Sequence, residues 1–154
     1  MNADLLGPAE STGGALPHKM AESGILAIMI STQSLSPRFQ TTANNGRQEL
    51  AADAPIDKGG GGVGFSAHEL LEASLAVCVN MAVRMYAAEH SIPLESTTTR
   101  VRLHRPSADA VSFEYAVELT GPLSASQLHE IQEAARACPV RDTLSKRIEF
   151  RATT

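Results

Sequence analysis

Tryptophan is missing from this chain, and only two tyrosines and four phenylalanines stand among its 154 residues. Stacking on bases or sugars is therefore not its main business, and its core has to be built from Leu, Ile, Val, Met and Ala. A basic excess is missing too: 13 Lys and Arg against 17 Asp and Glu leave a formal charge of −4. Phosphate binding needs a positive face, so nucleic acid is not expected as a partner. No run of about 20 apolar residues is expected to span a membrane. The first residues lack the basic end and apolar stretch of a signal peptide. The expected location is the cytoplasm. Cysteine is equally scarce, with Cys78 and Cys138 alone. In a reducing compartment two thiols are either inert core residues or a reactive pair. Two do not complete a tetrahedral zinc site, and the histidines show no metal spacing among themselves, so no metal or cofactor is expected.

What is present orders itself along the chain. Residues 1–24 mix Gly, Pro, Ser, Thr and Ala without periodicity and read as a flexible tail; 25–154 read as one domain. Ile25–Ser31, Arg38–Ala43 and Arg47–Asp53 read as strands, the last two joined by the turn signal Asn44-Asn45-Gly46. Gly59–Gly64 is glycine-rich but lacks the lysine and hydroxyl residue of a phosphate loop, so a mobile lid or linker is expected. Ser66 and Glu69 have capping-box spacing and open a helix that runs to about His90 and stops before Pro93. Leu71, Leu75, Cys78, Ala82 and Met85 form one stripe, and the opposite face is nearly as apolar, which predicts a buried central helix. Thr97–His104 and Val111–Leu119 alternate as half-exposed strands. Ser124 caps a second helix ending at Cys138, Pro139 opens a short third one through Leu144, and Arg147–Ala152 reads as a last strand. Strands and helices do not alternate one for one. The predicted class is α+β: about six strands in antiparallel sheets around two main helices. A half-polar sheet leaves part of an apolar helix uncovered, and a homodimer is the natural remedy.

Gly64-Phe65-Ser66-Ala67-His68-Glu69-Leu70-Leu71, Cys78 and Met85-Tyr86-Ala87, followed by Ala137-Cys138-Pro139-Val140-Arg141-Asp142-Thr143-Leu144-Ser145, resemble the two cysteine segments of the OsmC/Ohr family of osmotically inducible and organic hydroperoxide resistance proteins. The resemblance runs from about Arg47 to Arg151 and implies an intertwined homodimer with its site at the subunit interface. It implies a thiol peroxidase in which Cys78 is peroxidatic and Cys138 resolving, with an organic hydroperoxide as substrate and an external dithiol as reductant. In the hydroperoxide-resistance branch an arginine assists the first cysteine and is held by a glutamate ten residues before it. Here that position is His68, with Glu69 about 100° further round the helix. Arg38 is the preferred candidate for the arginine, ahead of Arg47. The alternative is a small-molecule-binding or stress-associated dimer whose cysteines do not turn over.

Overall fold

The computed structural model describes residues 29–153. The expected tail, and residues 25–28 of the first expected strand, lie outside the described residues. Within them the chain forms β1 (Ser31–Ser34), β2 (Thr41–Asn44) and β3 (Glu49–Ala52), then α1 (Ala67–Glu89), β4 (Ser96–Ser107), β5 (Ala110–Thr120), α2 (Ala125–Arg136) and α3 (Pro139–Leu144). The class is α+β, as the element order predicts.

β1, β2 and β3 make an antiparallel meander, with Asn44 opposite Glu49 across the turn. The Asn45 side chain accepts the Arg47 and Gln48 amides at 2.9 and 2.8 Å, and Gly46 takes the positive φ that the turn needs. Among the described residues the first strand starts at Ser31, and Met29 and Ile30 precede it exposed and outside the strand.

The glycine-rich segment departs from expectation. It is fastened, not a free lid, because its amides converge on the buried carboxylate of Asp53. Asp53 Oδ2 accepts from Gly61 and Val63 at 2.8 and 3.3 Å, and Oδ1 from Ala54 at 2.7 Å. Burial pushes this carboxyl up, but the amides of Val63, Gly61, Ala54 and Gly62 outweigh it and hold it below the usual carboxylate range. The anion that such a glycine nest wants is thus supplied by the chain itself. Glycine is required at 60, where a Cβ would stand 1.9 Å from the Ala54 carbonyl oxygen.

α1 begins at the predicted capping box: Glu69 N–H donates to Ser66 Oγ, and Ser66 N–H donates to Glu69 Oε2. Leu75, Val79, Val83 and Ala87 form its buried row, with Ile131, Ala135 and Cys138 from the second helical segment. Val101, Phe113, Val117 and Leu119 of the β4–β5 hairpin close the core from the sheet side. Two polar side chains of α1 reach the edge of that sheet. Glu72 Oε1 accepts the Leu103 amide at 2.7 Å, and Asn80 donates to the Thr97 carbonyl at 3.1 Å.

Two expectations fail for one reason. α1 is buried on one row only, and Val77, Met81 and Met85 on another face are 51, 56 and 70 % exposed. Arg147–Ala152 forms no strand, and its Phe150 is 94 % exposed. Both patterns are amphipathic or apolar as read, but among the described residues nothing packs on that face of α1 and no strand pairs with Arg147–Ala152. Five strands are therefore described, not six, with the two main helices and the short third one expected from Pro139. α1 is also, among the described residues, a helix long and apolar enough to cross a membrane by length and composition. Here its buried row serves the core.

Ile131 is fully buried at the centre of this packing. Ile131→Ala should lower the unfolding free energy by about 2–5 kcal/mol and Ile131→Val by about 0.5–1.5 kcal/mol. Urea unfolding checks both. Equal, negligible losses would mean that the core is not centred on α2.

Candidate functional site

The two cysteines converge. Cys78, half-buried, faces from the middle of α1, and Cys138, fully buried, is the residue just before Pro139 opens α3. Both are free thiols. Proline at the first helical position loses no hydrogen bond there and fixes the turn that presents Cys138 to α1. A second pairing gives the direction of the two helices: Tyr86 of α1 and Glu130 of α2 line the same cavity as Cys78. Eight residues separate Cys78 from Tyr86 and Glu130 from Cys138. α1 and α2 therefore run antiparallel in register.

A cavity of about 880 Å³ follows the groove between α1 and the α2–α3 segment, with Cys78 in its wall. Val77, Met81, Ala82 and Met85 line one side, and Ala134, Ala137 and Val140 the other. The groove is apolar beside the thiol. Ser74 stands one turn before the thiol, and the other polar residues, Tyr86, Glu89, His129, Glu130 and Glu133, lie further along. No lysine or arginine is among its lining residues.

Burial pushes the Cys78 thiol above its ordinary value, because the thiolate loses hydration. The neighbouring Cys138 thiol pushes in the same direction, and the Val140 amide opposes both. Within one protomer the site thus has an oxidisable pair and an apolar approach, but nothing that strongly stabilises a thiolate.

The other predicted site residues stand elsewhere. Arg38, at a positive φ in the loop after β1, donates to the Gly59 carbonyl at 2.8 Å. His68 lies in the first turn of α1, ten residues before Cys78 and about 15 Å away along the axis. It lines a second cavity of about 650 Å³, with Lys58 and Arg105, beneath the β1–β3 sheet. Arg47 is in the hairpin turn. One protomer brings Cys78 and Cys138 together and leaves Arg38, Arg47 and His68 apart from them. Among the described residues no cluster could hold a metal ion. Sequence reading missed the polar far end of the groove. The Tyr86–Glu130 register could have been found by laying the two helices antiparallel with the cysteines opposed.

The family model for OsmC-like proteins matches residues 59–153. The chain belongs to the OsmC-like protein family. Solved structures share its fold. A proposed osmotic stress-induced and detoxification response protein of Psychrobacter arcticus 273-4 is 24 % identical, with a TM-score of 0.65, over 80 % of this chain and 91 % of its own. An OsmC-like protein of Mycoplasma pneumoniae is 19 % identical, with a TM-score of 0.63, over 81 and 89 %. The organic hydroperoxide resistance protein OhrB of Bacillus subtilis is 19 % identical, with a TM-score of 0.54, over 76 and 90 %. At these identities the likeness is one of fold. No curated protein matches the chain.

The raised Cys78 thiol has a measurable consequence. Its alkylation by iodoacetamide, followed by peptide mass mapping, should keep accelerating above about pH 8.5, the ordinary cysteine value. A plateau below that pH would show that a cation reaches the thiol in solution.

Proposed function

We propose that this OsmC-like chain is a thiol peroxidase that reduces organic hydroperoxides in oxidative stress defence. The observation that carries the reading is the placement of two free thiols side by side at an apolar groove. The name of the Bacillus subtilis relative points the same way. Cys78, as thiolate, attacks the distal peroxide oxygen. The O–O bond breaks, the alkoxide leaves and takes a proton as the alcohol, and Cys78 becomes a sulfenic acid. The Cys138 sulfur then attacks the Cys78 sulfur, water leaves, and a disulfide forms. An external dithiol returns both thiols by exchange and is itself oxidised to a disulfide. The alkyl part of the substrate gains by burial against Val77, Met81 and Val140, which favours organic over hydrogen peroxide. No cofactor enters this cycle, and its dithiol reductant suits a cytoplasmic location. Nucleic acid and membrane have no part in it.

The working unit in this proposal is a homodimer. The exposed Val77-Met81-Met85 row, which walls the groove, and the unpaired Arg147–Ala152 segment are the surfaces a second copy would border, so that the groove and its ligand would lie at the interface. Since Arg38 and His68 do not reach Cys78 in their own protomer, any part they play is across that interface, where Arg38 would lower the Cys78 thiol and His68 would orient it. A second reading, a binding dimer without turnover, is favoured by one observation: no cation lines the groove of the single chain.

Two measurements test these proposals. Cumene hydroperoxide should be consumed under a dithiol reductant by wild type, not by Cys78→Ser, and with over-oxidation of Cys78 in Cys138→Ser. Equal background rates in all three would leave the binding dimer. Sedimentation should give a dimer for wild type and a shift toward monomer for Met81→Asp, because a buried unpaired carboxylate at an interface costs several kcal/mol, roughly 3–5. A monomeric wild type would remove the proposed trans assembly.

A further inference from the structure

The groove is asymmetric along its length, and the antiparallel register measures the asymmetry. Cys78 and Cys138 mark one end. Tyr86 and Glu130 face each other eight residues away on both helices, about 12 Å along the axis. Glu89 follows a further turn along α1. Between these ends the walls are mostly methionine and alanine, with Glu133, held by Arg136, among them. An extended molecule with its reacting group at the thiols therefore sets its other end among carboxylates.

The charges at that end do not cancel. Glu133 is paired with Arg136 at 2.5 Å. Glu130 accepts only the hydroxyl of Ser126, at 2.9 Å, besides its contact with Tyr86. Among the described residues Glu89 makes no ion pair. His129 lines the same end, and His90 stacks on the Tyr86 ring at 4.0 Å between centroids. Glu89 and Glu130 line the same end of the groove as Tyr86, and both push its hydroxyl up, behind the larger effect of its burial.

We propose that Glu89 and Glu130 select the ligand of this groove by charge: an apolar chain ended by a neutral or cationic group is admitted, and one ended by a carboxylate or phosphate is rejected. The proposal names the substrate class of the peroxidase reading and rests on it only for the reacting group. A like charge brought against two carboxylates in a partly desolvated groove loses Coulomb energy that a hydrocarbon end does not, and an ammonium end gains it.

Binding of non-reactive probes separates the two ideas. Isothermal titration calorimetry with the Cys78→Ser protein, at pH 7.5 and low salt, compares decylammonium, decanol and decanoate. Decylammonium and decanol should bind, and decanoate about tenfold or more weakly than decylammonium. The difference should shrink as salt is raised. In Glu89→Gln, at an exposed helix end where loss of a carboxylate does not harm the fold, and more so in Glu89→Gln with Glu130→Gln, decanoate should approach decylammonium. Decanoate binding as well as decylammonium, an unchanged preference in both variants, or no binding of any probe would each overturn the proposal. Selective binding without cumene hydroperoxide turnover by wild type would leave this inference standing and remove the peroxidase. Turnover with indifferent binding would do the reverse.

Discussion

The register between α1 and α2 is the constraint from which the site follows. The row Leu75, Val79, Val83 and Ala87 recurs every four residues and meets Ile131, Ala135 and Cys138. Small residues at 87 and 135 let the helices approach, and the large ones interdigitate. Sliding one helix by a residue would turn its buried row away and leave a cavity. The contact is therefore fixed by packing, and packing in turn opposes the two cysteines. Proximity of the thiols is a by-product of apolar burial, and no polar interaction had to be spent on it.

That origin sets the limits of the chemistry. The packing that brings Cys138 to Cys78 also removes water, which makes the thiolate dearer and the nucleophile weaker. For the proposed peroxidase a dry groove would favour the alkyl part of a hydroperoxide and oppose the charge that has to attack it. Compensation has to come from a cation, and the described protomer holds its candidates elsewhere: Arg38 on the Gly59 carbonyl, His68 at the start of α1. The same protomer leaves an apolar helix face and an alternating C-terminal segment uncovered. The proposed homodimer would make good both the incomplete chemistry and the incomplete burial.

Much of this was legible in the residues. The Asn-Asn-Gly turn, the Ser66–Glu69 capping box, Ser124 as a helix cap, Pro139 at a helix start and the alternation of β4 and β5 are local patterns, and local patterns survive folding. What was not legible depended on distant partners. The apolar stripe through Leu71, Cys78 and Met85 was chosen by counting hydrophobic residues. The buried row is Leu75 to Ala87, because the sheet and α2 approach from that side. Glycine composition at 59–64 predicts freedom, and only Asp53, distant from the loop's far end in sequence and adjacent in space, removes it. The Arg147–Ala152 alternation promises a strand, but strand formation needs an edge that sequence does not supply.

The sequence by itself determined the family, the α+β order of elements, the helix boundaries and the identity of the two cysteines as the residues to watch. Each is a matter of residue type, spacing and local capping. Tertiary structure alone decided that the thiols are neighbours, that Arg38 and His68 are not beside them in one chain, that the glycines enclose a carboxylate, and that the groove ends among glutamates. Those are contacts between residues far apart in the chain, and their geometry is set by which apolar surfaces can be buried at once.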